Sequence, residues 1–267
     1  MLRALLEVVF PPRCAGCGTG RWPFCDACRS SLVALEPPWC ERCGAPAPSL
    51  RPRCRTCPPE EIERARAPFA YDGPARSAIH RLKFGGWRGV AEALGASMAA
   101  VAPAGDAGAP AGRTGTAATG GVEVATWVPL SPRRLSERGF DQARALAEVV
   151  GSRLGLPVVR LLVRAADTGA QARRSGAERR AAMAGAFRSA GPSPTRVLLV
   201  DDVLTTGATA AACARVLLDA GARSVLLLTA ARALAPAERP HLRPGSGRYT
   251  RAGPASGSVV ARGNVLR

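Results

Sequence analysis

Residues 197–209 read Val-Leu-Leu-Val-Asp-Asp-Val-Leu-Thr-Thr-Gly-Ala-Thr. The four leading residues are apolar without interruption, the pattern of a parallel strand covered on both faces rather than of a half-exposed one. Asp201 and Asp202 follow at once, and Thr205, Thr206, Gly207, Ala208 and Thr209 then open a helix. In such a turn the hydroxyls and backbone N–H groups, with the positive end of the helix dipole behind them, form a concave seat for a phosphate monoester. Gly207 permits close approach there. Carboxylates repel phosphate, so the two acids need another purpose. The simplest is to accept hydrogen bonds from sugar hydroxyls, directly or through a divalent cation. The plainer alternative makes the acids a turn and Thr206 a helix cap, but a cap needs one such residue, not two acids and three threonines.

Outward from this stretch, apolar runs and helical periodicities alternate. Strand patterns at 122–130, 158–163, 196–200 and 224–230 are separated by helical ones at 140–154 and 207–220, and two further helices fit 75–82 and 90–101. Along 140–154, Ala143, Leu146, Ala147, Val150 and Leu154 recur at helical spacing. That order predicts an α/β domain with a mostly parallel sheet and ligands at the carboxyl ends of its strands. Neither a P-loop nor a Gly-x-Gly-x-x-Gly fingerprint is present. Cys213 falls on an apolar helix face with Ala210, Ala214 and Leu217 and reads as a small core residue.

Eight of the nine cysteines form four Cys-x-x-Cys pairs: Cys14/Cys17, Cys25/Cys28, Cys40/Cys43 and Cys54/Cys57. A two-residue gap lets both thiolates of a knuckle face one metal, and two knuckles complete a tetrahedral four-cysteine zinc site. Eight ligands make two structural zinc sites, shared by consecutive or by alternate knuckles. A disulfide framework would need an oxidising compartment, and an iron–sulfur cluster is the other use of such ligands.

The net charge of +17 favours an anionic partner, but 36 of the 37 basic residues are arginine, as GC-rich coding would produce. The one lysine, Lys83, therefore marks a position where a compact ammonium is of use, for instance against phosphate or pyrophosphate. His80, one helical turn earlier, reads as structural. Residues 58–70 are charged and Pro-bearing and read as a linker. Residues 103–121, nearly all Ala, Gly, Pro and Thr, read as a disordered insertion, and 233–267 as a disordered basic tail. The expected organisation is thus a cysteine module over 1–60, opening with a short helix, and an α/β domain over 68–232. No stretch is apolar and long enough for a membrane span, and a cytoplasmic setting is expected.

The chain is identified by resemblance as a member of the ComF family, a double zinc ribbon joined to a type I phosphoribosyltransferase domain. The resemblance covers roughly residues 1–232. It rests on 197–209 and the four cysteine pairs, with Tyr71-Asp72-Gly73, Leu82-Lys83-Phe84-Gly85-Gly86, Val128-Pro129-Leu130, Arg138-Gly139-Phe140-Asp141-Gln142 and 168–187, including Gln171 and Arg179. The family pattern has Asn at the positions of Asp141 and Ala182. The resemblance implies that phosphoribosyl pyrophosphate (PRPP) is bound with Mg2+ by Asp201, Asp202, Val203, Thr205, Thr206, Gly207, Ala208 and Thr209. Asp201 and Asp202 would hold the ribose hydroxyls, and the turn after Leu130 would face the pyrophosphate. Cations, with the Arg-rich stretch 164–188 as a mobile loop, would stabilise charge as pyrophosphate departs.

Three functions follow from the resemblance and the charge. One is a phosphoribosyltransferase acting on a base or amine acceptor. Another is a competence factor, serving DNA uptake, that binds single-stranded DNA; residues 128–188 hold twelve Arg against five acidic residues. The third is an adaptor whose zinc module recruits another protein, such as a component of the competence machinery. Aromatic residues are only 4% of the chain, and Trp22, Phe24, Trp39 and Trp87 are the candidates for stacking on bases.

Overall fold

A computed structural model describes residues 13–103, 121–164 and 185–242. The expected N-terminal helix, the insertion, most of the Arg-rich stretch and the end of the basic tail lie outside the described residues.

The cysteine region contains one short helix, α1 (Asp26–Ser30). The α/β region then runs β1 (Arg64–Arg66), β2 (Phe69–Ala70), α2 (Gly73–Phe84), α3 (Val90–Ala100), β3 (Val124–Trp127), α4 (Pro132–Arg138) and α5 (Gln142–Leu154). It continues with β4 (Leu162–Arg164), β5 (Phe187–Ser189), β6 (Arg196–Leu204), α6 (Ala208–Asp219) and β7 (Ser224–Arg232). The central sheet has the order β1–β7–β6–β3, with β2 also on β7, and every pairing in it is parallel.

The continuous apolar runs explain the layers. Alternate side chains of β6 and β7 go to opposite faces. Leu198, Val200, Leu226 and Leu228 pack with α2, α3 and α5 on one face. Val197, Leu199, Val225 and Leu227 pack with α6 and the β4–β5 hairpin on the other. Cys213 is fully buried in this second layer, as expected. Gly95 brings α3 close to α5, since a Cβ there would lie 2.7 Å from Val149.

Three segments differ from the sequence reading. Residues 58–70 are more than a linker, because they supply β1 and β2, too short at three and two residues to show a periodicity. The expected strand at 158–163 meets the main sheet at the Ala125–Val158 bridge and through Leu161 N–H, which donates to Thr126 Oγ1 at 3.3 Å, and the chain then leaves to form the antiparallel β4–β5 pair over α6. The ordered chain also continues past Arg232 into a 3-10 helix, Pro236–His241. Arg232 explains why. It is buried at 2% exposure and donates to the carbonyls of Cys43 and Thr56 and to Glu238 Oε1, tying the helix to the cysteine region.

The cysteine region is not set apart from the α/β core. Cys14, Ala15, Phe24, Cys28 and Leu32 belong to the same buried cluster as Ile79, Leu82 and Leu94. Phe24, a candidate for stacking on bases, is 1% exposed and serves this core instead.

Candidate functional site

The eight paired cysteines gather into two groups, Cys14/Cys17/Cys25/Cys28 and Cys40/Cys43/Cys54/Cys57, with all sulfurs of a group within 4.8 Å of one another. Consecutive knuckles therefore share a site. Four sulfurs about 2.3 Å from a zinc ion in a tetrahedron lie about 3.8 Å apart. Here Cys17–Cys25 is 3.8 Å, Cys40–Cys57 3.6 Å, Cys43–Cys54 3.5 Å and Cys54–Cys57 3.7 Å. A disulfide needs about 2.05 Å, so the spacing fits zinc thiolates and not a bridge. Backbone N–H groups of Gly20, Cys25 and Cys54 donate to Cys17, Cys14 and Cys57 sulfur at 3.3–3.4 Å, stabilising negative charge there.

The carboxyl end of β6 carries the second constellation. The strand runs through Leu204, a turn covers 205–207, and α6 begins at Ala208. Thr205 and Thr206 are exposed, and a cavity of about 50 Å3 is lined by Asp201, by the turn and first helical residues up to Ala210, and by Leu227 and Thr229 of β7. Gly207 has φ 77°, a left-handed conformation that favours glycine. It also meets the segment after the second cysteine site: a Cβ would lie 2.8 Å from Pro58 Cβ and 3.3 Å from Pro59 Cδ. Arg42, between Cys40 and Cys43, holds that segment by donating to the carbonyls of Pro58, Pro59 and Ile62, each at 2.8 Å. The first knuckle of the second cysteine site thus braces the turn through Arg42 and two prolines.

The two acids meet different surroundings. Strand alternation sends them to opposite faces. Asp201 lies opposite Thr229 of β7 and lines the cavity. Asp202 is 6% exposed, with Oδ1 2.6 Å from Lys83 Nζ and Oδ2 accepting from Gln142 Nε2 at 2.9 Å. Lys83, expected against phosphate, is paired in this structure with Asp202, and both Asp202 oxygens are engaged. Val203 also lines the cavity, whereas Leu130 does not.

Leu130 begins the turn after β3, beside β6, and its N–H donates to Asp141 Oδ2 at 3.2 Å. Asp141 also caps α5, accepting from the Ala143 and Arg144 N–H groups. Burial pushes its pKa up although these N–H bonds oppose the shift. Gln142, buried at 3%, was given no role by the sequence reading. The signal was there, since it shares the i, i+4, i+8 stripe of Leu146 and Val150 and is a polar residue on an inner face. Its Oε1 is buried with no protein donor, an open acceptor beside Asp202.

Burial and, after it, the neighbouring charge of Asp202 push Asp201 up to about 8. Below about pH 4 both the folded and unfolded states hold this proton; between there and about 8 the unfolded chain ionises while the folded site retains it. Unfolding free energy should therefore decline as pH rises through this window, and Asp201→Asn should flatten the decline. Urea midpoints at pH 5, 6.5 and 8 check this; an equal decline in the variant would remove Asp201 as its source.

Two four-cysteine sites built into a parallel α/β sheet, with a Thr-rich turn and an acid at the end of its central strand, define the class of protein. Residues 5–58 match the double zinc ribbon domain. The chain is 30% identical over 222 residues to the DNA utilization protein YhgH of Escherichia coli (strain K12), covering 80% of this chain and 92% of that one. It is 29% identical over 210 residues to the competence protein ComFC of Bacillus subtilis (strain 168), covering 74% and 78%. Among solved structures it overlaps the allosteric regulatory enzyme of purine biosynthesis, with TM-score 0.33, 20% identity and 52% of this chain against 25% of that one. The chain belongs to the ComF family. No helix among the described residues is long and apolar enough to cross a membrane.

Proposed function

We propose that the chain binds PRPP or ribose 5-phosphate with Mg2+ at the end of β6, and that it transfers the phosphoribosyl group to an acceptor with release of pyrophosphate. The observation that carries this reading is the Thr205–Gly207 turn at the N-terminus of α6, above a cavity to which Asp201 contributes the acid. Backbone N–H groups and hydroxyls of the turn receive the 5'-phosphate. Asp201, which lines the cavity and whose Oδ1 also accepts from the Asp202 N–H at 2.8 Å, accepts ribose hydroxyls. Lys83 and Asp202 act as positioning residues, locking α2 and α5 to β6. Bound Mg2+ would offset charge on the pyrophosphate and would favour the ionised form of Asp201, the acid that lines the cavity. Zinc thiolates require reduced cysteines, which supports the reading of a cytoplasmic protein.

Ribose 5-phosphate with Mg2+, at about a hundred times its Kd, should raise the melting temperature by roughly 5–10 °C, and PRPP should act more strongly. Thr205→Val with Thr206→Val, both at exposed positions, should keep the fold and lose the shift. An equal shift in this double variant would place the ligand elsewhere.

A second reading, a non-catalytic protein that binds single-stranded DNA or a competence partner, draws on the charge of +17 and on relatives named for DNA utilization and competence. Pyrophosphate release from PRPP that depends on an added acceptor separates the two.

A further inference from the structure

Phe84 ends α2, and 64% of its surface is exposed, although a phenyl ring gains stability from burial. Among the described residues it is the one aromatic of the exposed large hydrophobics. The guanidinium of Arg138 lies 4.9 Å from its ring centroid, and the His80 ring packs beside it at 4.8 Å with a 49° tilt. A second pair, Arg88 over Phe140 at 5.2 Å, stands alongside, and Arg88 donates to the Gly139 carbonyl at 3.1 Å, joining the two loops.

This surface is joined to the carboxyl end of β6 at Asp202, the residue after Asp201. The two side chains that clasp Asp202, Lys83 and Gln142, adjoin these pairs in sequence: Lys83 precedes Phe84, and Gln142 lies two residues after Phe140. A groove of about 470 Å3 runs along α2, lined by Asp72, Gly73, Arg76, Ser77, His80 and Arg81.

From this juxtaposition we infer that Phe84, backed by Arg138, is a stacking seat for a nucleobase whose sugar and phosphate occupy the Asp201–Thr209 site. An aromatic ring with a cation on it and open surface beside it suits any base, because every base offers a π face. The inference rests on the phosphoribosyl reading. The base belongs either to a mononucleotide or to the end of a strand whose following phosphates enter the Arg76/Arg81 groove.

The test uses the full chain with zinc and two probes, ribose 5-phosphate and 2-aminopurine riboside 5'-monophosphate, whose fluorescence is quenched on stacking. The nucleotide should bind about 5- to 100-fold tighter than ribose 5-phosphate, with quenching. Phe84→Ala should abolish that advantage and the quenching while leaving ribose 5-phosphate affinity unchanged, and Phe84→Tyr should retain both. Phe84 is exposed, so the Ala variant keeps the fold. A 5'-phosphorylated oligonucleotide labelled at its first base distinguishes the sources: Phe84-dependent quenching by the mononucleotide assigns the seat to free nucleotides, and by the oligonucleotide alone to strand ends. If ribose 5-phosphate binds and neither base-bearing probe gains from Phe84, the seat is refuted. If ribose 5-phosphate does not bind, the phosphoribosyl reading on which the seat rests fails and takes this placement with it.

Discussion

Removing zinc should lower the melting temperature of the whole protein by more than about 10 °C, not merely unfold the cysteine region. Two zinc ions per chain should be found before removal. Structural zinc contributes about 10–16 kcal/mol in isolated zinc fingers, far more than the usual net stability of a domain. Here the metal's contribution is shared with the sheet domain. Cys14 and Cys28 lie in the main core, and Arg81 of α2 donates to the Ala15 carbonyl at 2.9 Å and to that of Gly16. At the second site Arg42 holds Pro58 and Pro59 against Gly207. Losing the first site should loosen α2, and losing the second should free the turn at 205–207. Thermal melting and hydrogen exchange before and after chelation check this. Unchanged melting of the α/β region, with exchange gained only in the ribbons, would show that the two regions are independent.

The second large effect concerns Arg232. Its guanidinium joins the end of β7 to the Cys43 and Thr56 carbonyls and to Glu238, whose carboxylate also accepts from the Thr56 hydroxyl and the Ala235 N–H. Arg232→Met keeps most of the volume but leaves Glu238 buried without its counter-charge. Loss of one partner of a buried pair costs about 3–5 kcal/mol, so a fall of that order is expected from urea unfolding. Adding Glu238→Gln should recover much of it, because the neutral amide no longer needs the cation. A loss under about 1 kcal/mol in the single variant would mean that solvent screens the pair.

The parallel sheet was legible from Val197-Leu198-Leu199-Val200, because a strand covered on both faces leaves an unbroken apolar run. Both metal sites were legible from the Cys-x-x-Cys spacing. Knuckle pairing was not, since ligand spacing is the same for consecutive and alternate sharing. The 64–70 strands escaped because short edge strands take their identity from β7 beside them. The helix at Pro132–Arg138 was readable in hindsight, with Ser131 capping Arg134 N–H, Pro132 at its start and Gly139 left-handed at its end.

The candidate site divides along the same line. Sequence alone placed Asp201, Asp202 and Thr205–Thr209 in one turn, because contiguous residues cannot be far apart. It could not divide the roles of Asp201 and Asp202, which depends on what each face of β6 meets: the cavity on one, Lys83 and Gln142 on the other. Nor could it show that Gly207 faces Pro58 and Pro59, or that Arg42, Arg81 and Arg232 stitch the ribbons to the sheet. Local pattern determines strand, helix and metal knuckle, because period and ligand spacing are short-range properties of the chain. Which buried charge finds its partner is decided by residues as much as 189 positions apart, as Arg232 and Cys43 are, and only the packed tertiary structure brings those together.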